Sequence, residues 1–177
     1  MKKTLIIFTI FLSFLIIYFL QSNLFNWYTI AGIKPNLFVI FILFISLFAG
    51  MKVGIGFSIF FGLFLDFVLG KNLGTYTIMF TIIALIGVHL DKNFSKDSRL
   101  TIMLMVMAVT AIFEIGYYIF NIIFLKINIE ILQFIKILVI EILFNAIITI
   151  IMYPTMRKLG YKIEETFKEQ KILTRYF

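Results

Sequence analysis

The chain has 177 residues, 62% hydrophobic and only 14% charged, with a mean hydropathy of +1.08, far above the roughly half-apolar usage of soluble domains. That composition describes an integral membrane protein, and with no cysteine and one histidine it excludes structural disulfides, thiolate metal sites and cysteine nucleophiles and disfavours a zinc hydrolase. The formal charge of +7 is explained by where the basic residues stand along the chain, without invoking nucleic acid.

Lys2 and Lys3 precede the uncharged run Thr4 to Leu20, which exceeds a signal-peptide core and is followed by no small-x-small cleavage site, so it reads as a retained first span, about 4–20. Gln21 to Lys34 reads as an interfacial loop, since Trp27 and Tyr28 suit the membrane boundary. Pro35 opens a short apolar second span, about 36–49, because its missing N–H is unpaired at a helix start anyway. Gly50 turns the chain into a third span, about 53–69. At ~1.5 Å per residue both are short for a ~30 Å hydrocarbon core, so either the bilayer thins there or other helices shield the pair. Spans four to six cover about 73–90, 100–125 and 131–153, with Pro154 ending or kinking the last after Tyr153. The expected architecture is an all-α integral membrane protein with six transmembrane helices in a compact bundle, 1–156, and a basic tail, 157–177. Within the tail, Leu159, Ile163 and Phe167 stand at i, i+4 spacing, which fits either a surface-lying amphipathic helix or a solvated, frayed segment.

Six spans place both termini on one side. Twelve of the sixteen basic residues flank spans on that side, against Lys34, Lys71 and Lys126 on the other, with Lys136 inside span six. Cytoplasmic segments retain Lys and Arg, so both termini are expected in the cytoplasm.

The third span carries small or acidic residues at every fourth position, Gly54, Ser58, Gly62, Asp66 and Gly70, continued by Gly74. On a helix these stack into one ridge that lets another backbone approach closely, a helix-packing or partner interface. Asp66 would cost on the order of 2.5 to 3.5 kcal/mol facing lipid at the bilayer centre, so it is expected to face protein, water or a cation. Lys136 lies at similar depth, which permits an ion pair; equally, its side chain can snorkel outward. Glu114 and Glu141 both fall near mid-membrane, each on a polar stripe: Thr110, Tyr117 and Asn121 beside the first, Asn145 and Thr149 beside the second. Those stripes are expected to face each other as an intramembrane polar cluster of Glu114, Asn121, Lys136, Glu141 and Asn145, in which two close carboxylates cannot both stay ionised without a cation or basic partner. Structural glue, a partner-helix site and ion or proton transport all remain open for it. Ser58 and His89 suggest a serine–histidine dyad, but Ser58 is followed by Ile59 where the glycine of a G-x-S-G loop would stand, it lies on the packing ridge, and His89 sits at a span end beside Asp91 and Lys92.

Three groups of residues together resemble the rod shape-determining protein MreD family. They are Pro35-Asn36-Leu37 opening span two, where many members have Pro-Asp-Leu; Gly62 to Asp66 with Leu73 and Gly74; and Asn145 with Tyr153 and Pro154 before Arg157 and Lys158. Asn36 departs from the family's acidic residue. The resemblance implies a fold similar to the substrate-binding subunits of energy-coupling-factor transporters, no enzymatic activity and no cofactor. It also implies a place in the bacterial cell-elongation complex beside the scaffold protein MreC, and through it the RodA-type glycosyltransferase, its transpeptidase and MreB filaments. The alternative, a vitamin-binding subunit of an energy-coupling-factor transporter, docks through alanine-x-x-x-alanine spacing on span one, and Met1 to Ile30 contains neither alanine nor glycine. A carboxylate-based ion carrier rests only on Glu114 and Glu141.

Overall fold

The structure, a computed structural model, describes residues 2–69, 73–126 and 130–168. Gly70, Lys71, Lys171 and Arg175 lie outside the described residues. Six helices follow one another: α1, Lys2–Trp27; α2, Leu37–Ala49; α3, Met51–Leu69; α4, Thr75–Asn93; α5, Arg99–Leu125; and α6, Ile131–Phe167. All but α2 are long and apolar enough to cross a membrane.

Helix α2 is the centre of the bundle. Its thirteen residues are all buried, and it packs against each of the other five helices. At ~1.5 Å per residue it is about 20 Å long, too short to span the hydrocarbon core on its own. Shielding by neighbours resolves the expected mismatch for this helix, and its run of apolar residues on every face is what full enclosure requires. Helix α3 differs: it leaves Phe60, Leu63 and Phe67 exposed on one side, as a lipid-facing helix does.

Apolar burial supplies little drive between helices already in lipid, so close backbone approach and hydrogen bonds decide the packing. Ser46 in the last turn of α2 receives two glycines: a Cβ at Gly54 of α3 would stand 3.0 Å from Ser46 Cα, and one at Gly87 of α4 2.8 Å from Ser46 Cβ. Further along, a Cβ at Gly160 of α6 would meet the Phe48 ring at 2.7 Å. The α2–α3 corner turns at Gly50, with φ of +78°, a conformation that a side chain strains.

Two boundaries differ from the sequence expectation. The first helix does not stop at Leu20: a π-helical turn, Leu20–Leu24, carries it on to Trp27. Asn23 Nδ2 donates to Phe19 O at 3.0 Å and Asn26 Nδ2 to Ser22 O, so amide side chains occupy carbonyls around the irregular turn. The expected interfacial loop is thus only its second half. Pro154 likewise does not end α6, which continues to Phe167. Proline removes one helical bond and costs about 3 kcal/mol in a helix interior, but Tyr153, Met156, Gly160 and Ile163 are buried on both sides of it, and that docking carries the helix past it. The described part of the tail is therefore helical and not frayed, and its apolar stripe, Leu159, Ile163 and Phe167, packs on its own chain.

Candidate functional site

The N-terminus, the Gly50 corner, the α4–α5 loop and the end of α6 lie at one end of the bundle. Lys3 Nζ stands over the Phe167 ring, 5.7 Å from its centroid, and Lys168 Nζ donates to Leu47 O at 2.8 Å and pairs with Asp91 at 2.6 Å. Lys96 pairs with Asp91 at 2.8 Å and Glu164 at 2.6 Å, so two ammonium groups alternate with two carboxylates and clasp the loop to α6. Tyr153, just before Pro154, donates to Asp97 O at 2.6 Å, and Tyr161 donates to Asp97 Oδ1. Tyr153 and Tyr161 of α6 thus pin the α4–α5 loop, while Pro154 itself is exposed. Partial burial works to lower the Lys96 pKa, but hydrogen bonds to Asp91 and Glu164 outweigh it and hold the ammonium above its ordinary 10.5. A raised folded-state value gives stabilisation that is complete below the ordinary value and lost as pH rises through the folded one. Lys96→Met should accordingly lower the melting temperature at neutral pH and flatten its decline above about pH 10, read by thermal melts of detergent-solubilised protein. An unchanged alkaline slope would show that Lys96 does not carry that decline.

At the other end, Asp66 at the foot of α3 is 2% exposed. Its Oδ1 accepts from Tyr76 N at 2.9 Å, and its Oδ2 accepts from Thr77 N at 3.1 Å and Thr77 Oγ1 at 2.6 Å. Tyr76 and Thr77 are in the first turn of α4, whose N-cap is Gly74 with φ of +96° and no capping side chain. Asp66 is therefore the N-terminal cap of α4, supplied from the preceding helix: a carboxylate on free N–H groups at the positive end of the helix dipole. Gly62, one turn earlier, makes the reach possible, because a Cβ there would lie 2.5 Å from Thr77 Cα. The Asp66–Lys136 ion pair is not formed; Lys136 is exposed on α6 and has no salt bridge among the described residues. Gly54 and Ser58 of the small-residue ridge are also turned inward: Gly54 lies against Ser46, and Ser58, fully buried, donates to Ile55 O at 2.8 Å, whereas a Cβ at Gly74 would meet nothing within 4 Å. His89 is exposed, and no hydrogen bond joins it to Ser58 among the described residues.

The entry to α2 is tied to three other helices of the bundle. Asn36 caps α2, its Oδ1 accepting from Val39 N at 3.3 Å, a role asparagine fills as well as aspartate; the missing charge does not disturb it. Asn36 N donates to Asn145 Oδ1 at 2.7 Å, and Asn145 Nδ2 donates to Thr110 Oγ1 at 3.0 Å. Gln21 in the π turn of α1 brackets Pro35, donating to Pro35 O at 2.6 Å and accepting from Leu37 N at 3.1 Å. Glu141 is in side-chain contact with Glu114 and with Asn36. The structure thus brings together Pro35, Asn36, Leu37, Glu114, Glu141 and Asn145, while Lys136 stays apart. Asn121 donates to Tyr117 O at 2.9 Å and lines the same cavity as Glu114. Gln21 and Thr77 were missed from the sequence; a polar residue ending an apolar run just ahead of Pro35 is the signal for the first.

Six packed apolar helices, the central one buried along its whole length, define an integral membrane protein of the polytopic helix-bundle class. Among the described residues no group of three or more His, Cys, Asp or Glu side chains is placed to hold a metal ion. A family model described as rod shape-determining protein MreD matches residues 2–163, and the chain belongs to that family. No curated protein and no solved structure matches it.

Proposed function

We propose that the chain is a non-enzymatic subunit of the bacterial cell-elongation complex, seated in the cytoplasmic membrane, where it binds an MreC-like scaffold protein and supports peptidoglycan synthesis. The observation that carries this is the family match across nearly the whole chain. The buried, backbone-bonded Ser58 is consistent with a structural role. Both termini are assigned to the cytoplasm, on the side where ten described basic residues gather: Lys2, Lys3, Lys52, Lys92, Lys96, Arg99, Arg157, Lys158, Lys162 and Lys168.

Affinity capture of the tagged chain from native membranes should bring down an MreC-like protein, and depletion should round the cells. Capture of an ABC-type ATPase pair in its place would overturn the reading. Single cysteines at Ser22 and Ser95, both exposed, should label from outside and inside respectively with a membrane-impermeant maleimide. The reverse pattern would invert the topology.

A further inference from the structure

A cavity of about 990 Å³ lies at the Pro35 end of the bundle, between α1, the entry to α2 and helices α5 and α6. Its walls include Glu114 and Glu141 with the rings of Tyr76, Tyr117, Tyr118 and Phe134. Three of its lining residues carry carboxyl groups, Glu114, Glu130 and Glu141, against one ammonium, Lys34, which donates to Asn26 Oδ1. Two buried polar atoms on the wall have no hydrogen-bond partner among the described residues: Glu141 Oε1 and the Tyr118 hydroxyl. Glu141 is 7% exposed, so bulk water does not reach its carboxyl freely, and an acceptor in that position calls for a donor.

From these features we propose that the cavity is a binding site for an organic ammonium group carried on an apolar or aromatic body. Glu114 and Glu141 are in contact, and two close carboxylates cannot both ionise in a low dielectric without a cation beside them, so a bound ammonium is what lets the pair carry its charge, and an anion is disfavoured. The volume is many times that of a single water or bare metal ion, so an inorganic cation would leave most of it unfilled. Aromatic rings make up the remaining wall: Tyr76 and Tyr117 have centroids 5.9 Å apart, and Tyr118 stacks on Phe134 at 4.1 Å. Ring faces beside carboxylates are the surroundings that attract substituted ammonium ions through cation–π and charge-assisted contacts. The same group reaches the cavity either as a free amine or as the headgroup of an aminophospholipid.

The full chain in nonionic maltoside detergent, titrated with benzyltrimethylammonium or choline, should melt at progressively higher temperature, whereas 3,3-dimethylbutan-1-ol, the neutral isostere of choline, should have no such effect. Glu141→Gln and Glu114→Gln should each weaken the apparent affinity about tenfold or more by removing a charged acceptor, while Lys136→Met, outside the cavity, keeps it. Native mass spectrometry separates the sources: phosphatidylethanolamine retained by the wild type and lost from Glu141→Gln identifies the headgroup, and its absence with a preserved choline response identifies a free amine. Equal shifts from the cation and its neutral isostere would overturn the site. So would a cation response retained by both glutamine variants that still melt cooperatively, or no shift together with no retained aminophospholipid.

Discussion

Leucine at position 66 should leave little folded protein in the membrane, and asparagine should restore only part of it. Asp66 accepts three hydrogen bonds from Tyr76 and Thr77 in a place where 2% of its surface is exposed. Removing the acceptor strands two backbone N–H groups and a hydroxyl, each at about 1 to 3 kcal/mol, against a total stability of about 5 to 15 kcal/mol for a typical domain. Gly74 offers α4 no substitute cap, so no local side chain takes over. Asparagine keeps one carbonyl oxygen for one donor but turns an NH2 toward the others, and it surrenders the charge that the helix dipole favours. Membrane levels and melting temperature should therefore fall in the order wild type, Asp66→Asn, Asp66→Leu. Lys136→Met should be close to neutral, and combining it with Asp66→Asn should give the simple sum, since the two residues share no contact. Coupling between positions 66 and 136 would reinstate an ion pair and remove the capping role.

Much of the helix inventory was legible because long apolar runs bounded by Lys, Gly and Asn announce themselves. The enclosure of α2 was half legible: thirteen residues without a polar face other than Ser46 can only be satisfied by neighbours all round. What depended on partners distant in sequence was not. Pro154 looks like a stop until Gly160 is found against Phe48, more than a hundred positions earlier. Asp66 invited a search for a cation because charges are visible in a sequence and free backbone donors are not. The missing cap is visible only once the structure sets Gly74 at the N-cap, because Asn72 and Thr75 stand beside it in the sequence and either reads as a local cap. The stripes on α5 and α6 did meet, Asn145 on Thr110 and Glu141 on Glu114, since three- and four-residue spacing fixes which residues share a helix face. Their joint hold on Asn36 and the cavity beside them arise from packing several elements at once, which no spacing encodes.

Alanine at position 62 should be among the most damaging single-methyl additions in the chain, and leucine should be worse. A Cβ at Gly62 would sit 2.5 Å from Thr77 Cα and 2.8 Å from Thr77 N, and these are backbone atoms in the first turn of α4 that no rotamer change can move aside. Relief requires separating α3 from α4, the most extensively packed pair in the bundle; overpacking of this kind costs about 1 to 3 kcal/mol where side chains can yield and more where backbone must. Separation also draws the Asp66 carboxylate away from Tyr76 and Thr77, so the capping bonds weaken with the packing. Gly56→Ala, on the same helix with no atom within 4 Å of its Cβ, supplies the control and should be neutral or slightly stabilising, because alanine is the better helix former. Leu63→Ala, at a residue 43% exposed beside Gly62, should cost little. Melting temperature and membrane level would rank Gly62→Leu below Gly62→Ala, with Leu63→Ala and Gly56→Ala near wild type. The double change Gly62→Ala with Asp66→Asn should cost less than the two singles added, since both undo the same junction. Should Gly62→Ala melt like Gly56→Ala, close approach of α3 to α4 would not be what the glycine serves, and Asp66 would have to reach its donors without it.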